Sequence, residues 1–439
     1  MKHSIRALMG ACAVSALATA ALAETTITVA TVNNGDMIRM QSMMEDFYAQ
    51  HPDIKVEWVT LEENVLRQRV TQDVATNGGQ FDVMTIGNYE VPIWGARGWL
   101  MPLTDLPADY KVDDLLPSIR SALSVDGSLY ALPFYGESAM VMYRTDLAEQ
   151  AGVSLPDQPT WAQIKEAAAK MTDKDAGIYG ICLRGKPGWG ENMAFISAMA
   201  NSYGARWFDM SWEPEFDSAP WQAAFKDYLD LMTNYGPPGA SSNGFNENLS
   251  LFQQGKCGMW IDATVAAGFV TDPEESSVAE NVGYAVFPNK DGVDNHGNWL
   301  WSWNLGIPKS TDAPEAAEAF VTWATGPHYT QLVAEKQGWR AAPPGTRKSL
   351  YENATYLAEA PFATLTKETM DAATPEKPSV QDVPYVGAQF VSIPEFQGIG
   401  TAVGQQFSAA LAGQMDADTA LKNAQMLTQR EMTKAGYIK

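Results

Sequence analysis

The chain is poor in cysteine and histidine, with three and four in 439 residues. That is too little for a zinc scaffold, a disulfide-dense module or His-based catalysis. Basic residues are also scarce: 30 Lys and Arg face 52 Asp and Glu, a formal charge of −22. Nucleic acid and anionic membrane surfaces both need clustered Lys and Arg, so neither is an expected partner. No G-x-G-x-x-G or P-loop is present, and no G-x-S-x-G or H-E-x-x-H. Neither a nucleotide nor a metal is therefore expected, and no cofactor is called for. No repeat with a period of roughly 20–50 residues occurs, which excludes solenoids and propellers. Beyond the N-terminus there is no apolar run of about 18 residues, the length a membrane span needs.

What is present is globular. Hydrophobic residues make up 46% and charged residues 19%, and the length suggests two or three domain-sized units. Lys2 and Arg6 precede an apolar stretch from Ala7 to about Leu22, which ends in Ala21-Leu22-Ala23. This is the pattern of a secretory signal over residues 1–23. Its removal leaves 416 of the 439 residues and takes two cations but no acid, so the charge deepens from −22 to −24. Cys12 leaves as well. Cys182 and Cys257 then share a disulfide-permissive compartment, either bridged to each other or as two buried thiols.

Thr26 to Val32 alternates like a strand. Met37, Met40, Met44, Phe47 and Tyr48 recur at helical spacing, and Ile54, Val56 and Trp58 return to period two. Leu66, Val70 and Val74 predict a helix ended by Asn77-Gly78-Gly79, and Phe81 to Ile86 predicts a strand. This β-α-β-α-β order implies a parallel sheet, with ligands at the carboxyl ends of its strands. The loops to watch are Asn33–Asp36, Leu61–Asn64 and Gly87–Glu90. A short helix is expected over Pro92–Trp99 and a hairpin at Asp126-Gly127. A helix opened by a Thr160/Gln163 capping box should follow. Strands are expected at Ile178–Leu183, Gly258–Asp262 and Tyr284–Phe287, and helices at Trp221–Met232, Pro314–Ala324 and Ala409–Ala435. Two α/β lobes, each on a parallel sheet, are the predicted architecture.

Several segments also fall into a known order. Phe47-Tyr48-Ala49-Gln50-His51-Pro52-Asp53-Ile54 is followed by Phe81-Asp82-Val83-Met84, then by Leu132-Pro133-Phe134-Tyr135-Gly136-Glu137 and Met142-Tyr143-Arg144-Thr145-Asp146. Phe252-Gln253-Gln254-Gly255-Lys256-Cys257-Gly258-Met259-Trp260 and Leu305-Gly306-Ile307-Pro308 complete it. Over nearly the whole exported chain this resembles the extracellular solute-binding proteins of ABC sugar importers, the maltose-binding class. Within that class it is most similar to the sorbitol and mannitol binders. The resemblance implies a periplasmic, monomeric, two-lobed α/β protein that closes on a solute and passes it to a membrane permease. The N-lobe would hold residues 24–134 with a returning piece near 305–355. The C-lobe would hold 135–304 and 356–439, with the hinge near Phe134–Gly136 and Trp303–Gly306.

It also implies where ligand is touched. Asn34 and Asp36 lie in the first strand loop, Glu62 and Glu63 in the second, Asn88 and Tyr89 in the third. Tyr135 and Glu137 flank the hinge. Arg184 and Trp189 occupy a Gly/Pro-rich loop, Asp262 follows the Gly-Lys strand, and Arg340 lies further on. Trp301 and Trp303 are expected to divide between core and cleft, Trp303 facing the cleft with Asn304 beside it. The Trp299–Asn304 run is bulkier than in disaccharide binders, which predicts a small cleft. Each assignment has a structural alternative. Glu62 and Glu63 suit a first helical turn, Asn88 a turn, Arg184 a salt bridge and Asp262 a helix cap. Carboxylates, amides and guanidinium groups suit a neutral polyol such as sorbitol, mannitol or arabinitol, because each hydroxyl both donates and accepts. The competing readings are a binder of a disaccharide or another solute, and a secreted glycosidase. The latter needs two carboxylates about 5–10 Å apart across the scissile bond.

Overall fold

Alternating and β-branched segments give ten strands in the computed structural model, which describes residues 24–295 and 297–439. The expected signal segment lies outside the described residues. The strands are Thr25–Val32 (β1), Ile54–Leu61 (β2), Val83–Gly87 (β3), Ser124–Val125 (β4), Ser128–Leu129 (β5), Leu132–Glu137 (β6), Ala139–Arg144 (β7), Met259–Ala263 (β8), Val282–Val286 (β9) and Trp301–Gly306 (β10). The structure is α/β and two-lobed, with one sheet at the heart of each lobe. The first sheet runs β2-β1-β3-β10-β6. Its β1 pairs parallel with β2 and β3, whereas β10 runs antiparallel to β3 and β6. Helix Glu63–Thr76 connects β2 to β3 and ends at Asn77, whose φ of 52° sits in the left-handed region. β4 and β5 form the hairpin marked by Asp126-Gly127.

The second sheet corrects the sequence expectation. It runs β8-β7-β9 and is antiparallel throughout. Its strands are short and largely buried, and alternation of hydrophobicity says nothing about strand direction. Ile178–Leu183 is not a regular strand. It lies along β8 and pairs only at isolated points, Tyr179 with Cys257 and Cys182 with Trp260. Two expected helices are each divided. Gly35–Ser42 and Met44–Gln50 meet at Met43, whose N–H bonds the Met40 carbonyl at 3.1 Å. Phe396–Leu411 and Ala417–Ala435 are separated by a turn containing Gly413, and Asp416 caps the second at 2.7 Å. Helix Asn192–Ser202 is buried on every side, so its sequence lacks the polar face that marks an amphipathic helix.

The chain leaves the first sheet for the second between β6 and β7, with only Ser138 between them. Here Gly136 and Gly345 lie backbone to backbone, and neither has room for a Cβ. The Gly136 N–H donates to the Pro344 carbonyl at 2.9 Å.

Cys182 and Cys257 are joined by a disulfide across 75 residues, with Cα atoms 5.9 Å apart. Closing a loop of that size removes entropy from the unfolded chain, worth about 4 kcal/mol in the chain-entropy account. Cys257→Ser is therefore expected to lower the denaturant-unfolding free energy by about that amount. A loss below about 1 kcal/mol would show that the bond constrains the unfolded chain little.

Candidate ligand-binding site

A cavity of about 140 Å³ lies between the lobes, walled by loops from both. From the first lobe come the strand ends. Asn34 follows β1 and caps helix Gly35–Ser42, accepting from the Met37 N–H at 3.0 Å while its amide donates to the Tyr135 hydroxyl at 3.0 Å. Glu62 follows β2 and caps helix Glu63–Thr76 through the N–H groups of Asn64 and Val65. Both capping residues still line the cavity, as does Glu63. The ligand and structural roles weighed for Glu62 thus share one side chain.

Arg67, one turn into the same helix, was not marked by the sequence reading and organises this wall. Glu63 and Glu90 hold its guanidinium at 2.8 and 2.9 Å. The rings of Trp189, Trp303 and Trp301 surround it at 4.0, 4.6 and 5.0 Å. Such cation–π contacts strengthen as the cation is desolvated. Trp301 and Trp303 both line the cavity, correcting the expectation that they would divide. Residues two apart on a strand share a face. Their rings meet edge to face at 5.5 Å, and Trp189 meets Trp301 at 5.9 Å. Gly87 on the adjoining strand leaves no room for a Cβ under the Trp301 ring.

The second lobe supplies Arg184, Lys186, Trp189 and Glu191 from one loop, and Phe245, Asn246 and Glu247 from the start of helix Phe245–Gln253. Asp262 receives Arg184 at 2.6 and 2.9 Å, and the Arg184 Nη1 donates to the Gly190 carbonyl at 2.8 Å. Contacts cross from lobe to lobe. Lys186 pairs with Glu62 at 2.7 Å, and the Asn246 amide donates to the Asn33 carbonyl at 2.7 Å. The Lys186–Glu62 side chains are 24% and 40% exposed, so this pair is screened and contributes at most about 1 kcal/mol.

Nine of the residues marked in the sequence line the cavity: Asn34, Glu62, Glu63, Tyr135, Glu137, Arg184, Trp189, Trp301 and Trp303. The structure places six elsewhere. Asp36 is turned to Arg39 at 2.6 Å. Asn88 and Asn304 bond backbone carbonyls of neighbouring strands and loops, at Leu300, Ile86 and Ser302. Tyr89 donates to the Ile393 carbonyl and packs behind Trp189 at 4.7 Å. Asp262 stands behind Arg184. Arg340 donates to the carbonyls of Thr271 and Glu359. Besides Arg67, the sequence reading passed over Lys186, Glu191, Phe245, Asn246, Glu247 and Gln389, and named Trp299 only as part of the bulky run. The i,i+4 spacing of Glu63 and Arg67 was a usable signal for the first. Gln389 lies in an irregular stretch with no periodicity to mark it.

Four buried polar atoms of lining residues have no hydrogen-bond partner among the described residues: Glu137 Oε2, Glu191 Oε2, Trp299 Nε1 and Gln389 Oε1. An unmet buried group costs about 1–3 kcal/mol, so this set favours a ligand rich in both donors and acceptors. Burial pushes the Glu137 carboxyl well above the ordinary carboxylate range; Arg184 opposes the shift while Asp262, Glu63 and Asp36 add to it. Burial, with Glu63 next, pushes Glu191 up to about 8. Burial raises Asp36 to about 6 against the pull of Arg39.

Residues 34–331 match the bacterial extracellular solute-binding proteins, and the chain belongs to that family. A mannitol-binding protein of Pseudomonas aeruginosa is 56% identical over 439 residues, all of both chains. The crystal structure of an ABC transporter solute-binding protein from Agrobacterium vitis with bound D-mannitol superposes with a TM-score of 0.94. It is 64% identical and covers 94% of this chain and 100% of that one. A ribitol complex of a solute-binding protein from Agrobacterium radiobacter shares the fold, with a TM-score of 0.81 at 24% identity over 93% of this chain and 99% of that one.

The raised carboxyl groups fix the sign of a pH effect. A carboxyl whose folded pKa exceeds its unfolded value stabilises the fold below the unfolded pKa, and this is lost as pH rises through the folded one. For Glu191 the window runs from 4.5 to about 8. The melting midpoint of the ligand-free protein is expected to fall across that window, and to fall less in Glu191→Gln. An unchanged slope in the variant would clear Glu191 of the effect.

Proposed function

We propose that this protein captures a linear polyol, D-mannitol first among the candidates, in the cleft between its lobes. It acts as the exported, periplasmic binding component of an ABC importer and delivers the polyol to the membrane permease. Among the described residues no helix is long and apolar enough to cross a membrane. Family membership supports the binding role, and the two mannitol-named relatives support the ligand.

The observation that carries the ligand class is the mixture on the cavity wall. Indole faces lie beside unpartnered acceptors and donors, in a buried space of about 140 Å³. An alditol presents a C–H surface to the rings and hydroxyls that both donate and accept to the polar atoms. Four tryptophans, Trp189, Trp299, Trp301 and Trp303, crowd the wall, which supports a small solute over a longer sugar. No bond need be broken for this role, and the polyol is expected to leave the protein chemically unaltered.

Ligand that binds only the folded state adds about 2.7 kcal/mol of stability at a hundredfold excess over Kd. D-mannitol is expected to raise the melting midpoint clearly, with maltose and trehalose giving no shift. A response to a disaccharide but to no hexitol would overturn the small-cleft reading, and consumption of the polyol would overturn the binding role. Glu137→Ala removes a buried hydrogen-bonding group from the wall and is expected to weaken mannitol binding by about 1.5–3 kcal/mol in calorimetry.

A further inference from the structure

The cations that face the cavity are committed to partners. Arg67 is held by Glu63 and Glu90 at 2.8 and 2.9 Å, Arg184 by Asp262 at 2.6 Å, and Lys186 by Glu62 at 2.7 Å. The Arg184 and Lys186 pairs are close to neutral, and the Arg67 cluster holds two carboxyls for one cation. Of the buried lining carboxyls, Glu137 and Glu191 remain without a hydrogen-bonded cation. Glu137 is 95% buried by its 5% exposure, lines the cavity, makes no ion pair, and has Oε2 without a hydrogen bond among the described residues. Glu191 is equally buried at 4% exposure. It lies 3.6 Å from Arg184 and 3.7 Å from Lys186, too far for a hydrogen bond to either. Among the described residues the cavity therefore carries carboxyl groups in excess of its cations, and no cation that lines it is without a carboxylate partner. A buried group of this kind is satisfied best by a ligand that brings its own positive charge.

We infer that the cavity also takes cationic amino-alditols, the ligand ammonium being received by Glu137 in a space that Glu191 also lines, and that it turns away aldonates of the same chain length. This rests on the polyol reading and extends it to a second ligand class. The charged groups that act on Glu137 are Arg184, Asp262, Glu63 and Asp36, with Tyr135 two residues before it in the chain. Burial dominates among these influences and favours the protonated form of the carboxyl. Entry of an ammonium would convert it to the carboxylate: the ligand keeps its proton, and the Glu137 proton passes to the buffer. D-mannitol, which is neutral, would provoke no such release.

The test is calorimetry of the full exported chain with D-mannitol, 1-amino-1-deoxy-D-mannitol and D-mannonate, each in two buffers of different ionisation enthalpy. The amine is expected to bind within about tenfold of mannitol or tighter, and the aldonate at least about a hundredfold more weakly, since its carboxylate would be buried without a counter-charge. Proton release is expected with the amine and not with mannitol. In Glu137→Gln the amine-to-mannitol affinity ratio is expected to fall at least about tenfold, as the site can no longer become anionic. An amine excluded as strongly as the aldonate, or a ratio unmoved in Glu137→Gln, would overturn the inference while leaving mannitol binding intact. Failure of D-mannitol itself to bind would overturn the polyol reading, and the inference with it.

Discussion

The buried fork between Arg184 and Asp262 is the contact on which the cleft's second wall depends. Asp262 has no exposure, and its oxygens are filled by Arg184, by the Trp260 indole at 3.1 Å and by the Ala263 N–H at 2.7 Å. The Tyr228 hydroxyl donates to the Arg184 carbonyl at 2.9 Å, fixing the main chain at the same residue. Removing one partner of such a pair costs about 3–5 kcal/mol, because the other is left charged in an apolar surrounding. The disulfide from Cys182 to Cys257 ties the same two segments a few residues away. Between them, these two links decide where the loop bearing Lys186, Trp189 and Glu191 can sit. Asp262 shapes the site without lining it.

Arg67 performs the matching task in the first lobe. Its guanidinium is desolvated, which alone would lower its pKa, yet Glu63 and Glu90 outweigh that and raise it. With its charge met by acids at its edges, its faces are free to order three indole rings. The wall thus contains a guanidinium and presents indole rings beside polar side chains. Binding a neutral solute asks for this combination. Fixed charges hold the geometry, and unspent hydrogen bonds and C–H-compatible faces meet the ligand.

The parallel half of the first sheet was legible because its strands and helices switch period cleanly, from β1 through β3. The loops after those strands follow from the rule for ligand position in such sheets, and Asn34, Glu62 and Glu63 stand there. Asn88, in the third loop, is also where that rule points, yet its amide is taken by the Leu300 carbonyl of a distant segment. A one-dimensional reading cannot anticipate that competition. The antiparallel second sheet was missed since burial pattern carries no direction. Helix Asn192–Ser202 escaped for want of a polar side. Glu191 and Lys186 flank Trp189, which was marked; Lys186 finds its partner in Glu62 of the other lobe, which nothing local in the sequence announces. The lobe boundaries suggested by the resemblance can be set beside β6 and β10, which pair with each other in the first sheet while β6 runs on into β7 of the second.

The backbone contact of Gly136 with Gly345 has a consequence for affinity at a distance. It lies where the chain passes between sheets, Gly136 standing between the cavity-lining Tyr135 and Glu137 without itself joining the wall. When only one arrangement of two lobes holds ligand, the apparent dissociation constant is the intrinsic one divided by the fraction of molecules in that arrangement. A methyl group wedged at this junction would alter that fraction while the identity of every cavity-lining side chain stays the same. The strength of capture and the ease of hand-over can thus drift together through two glycines that are not on the cavity wall, while the choice of cargo stays with the tryptophans and carboxyl groups.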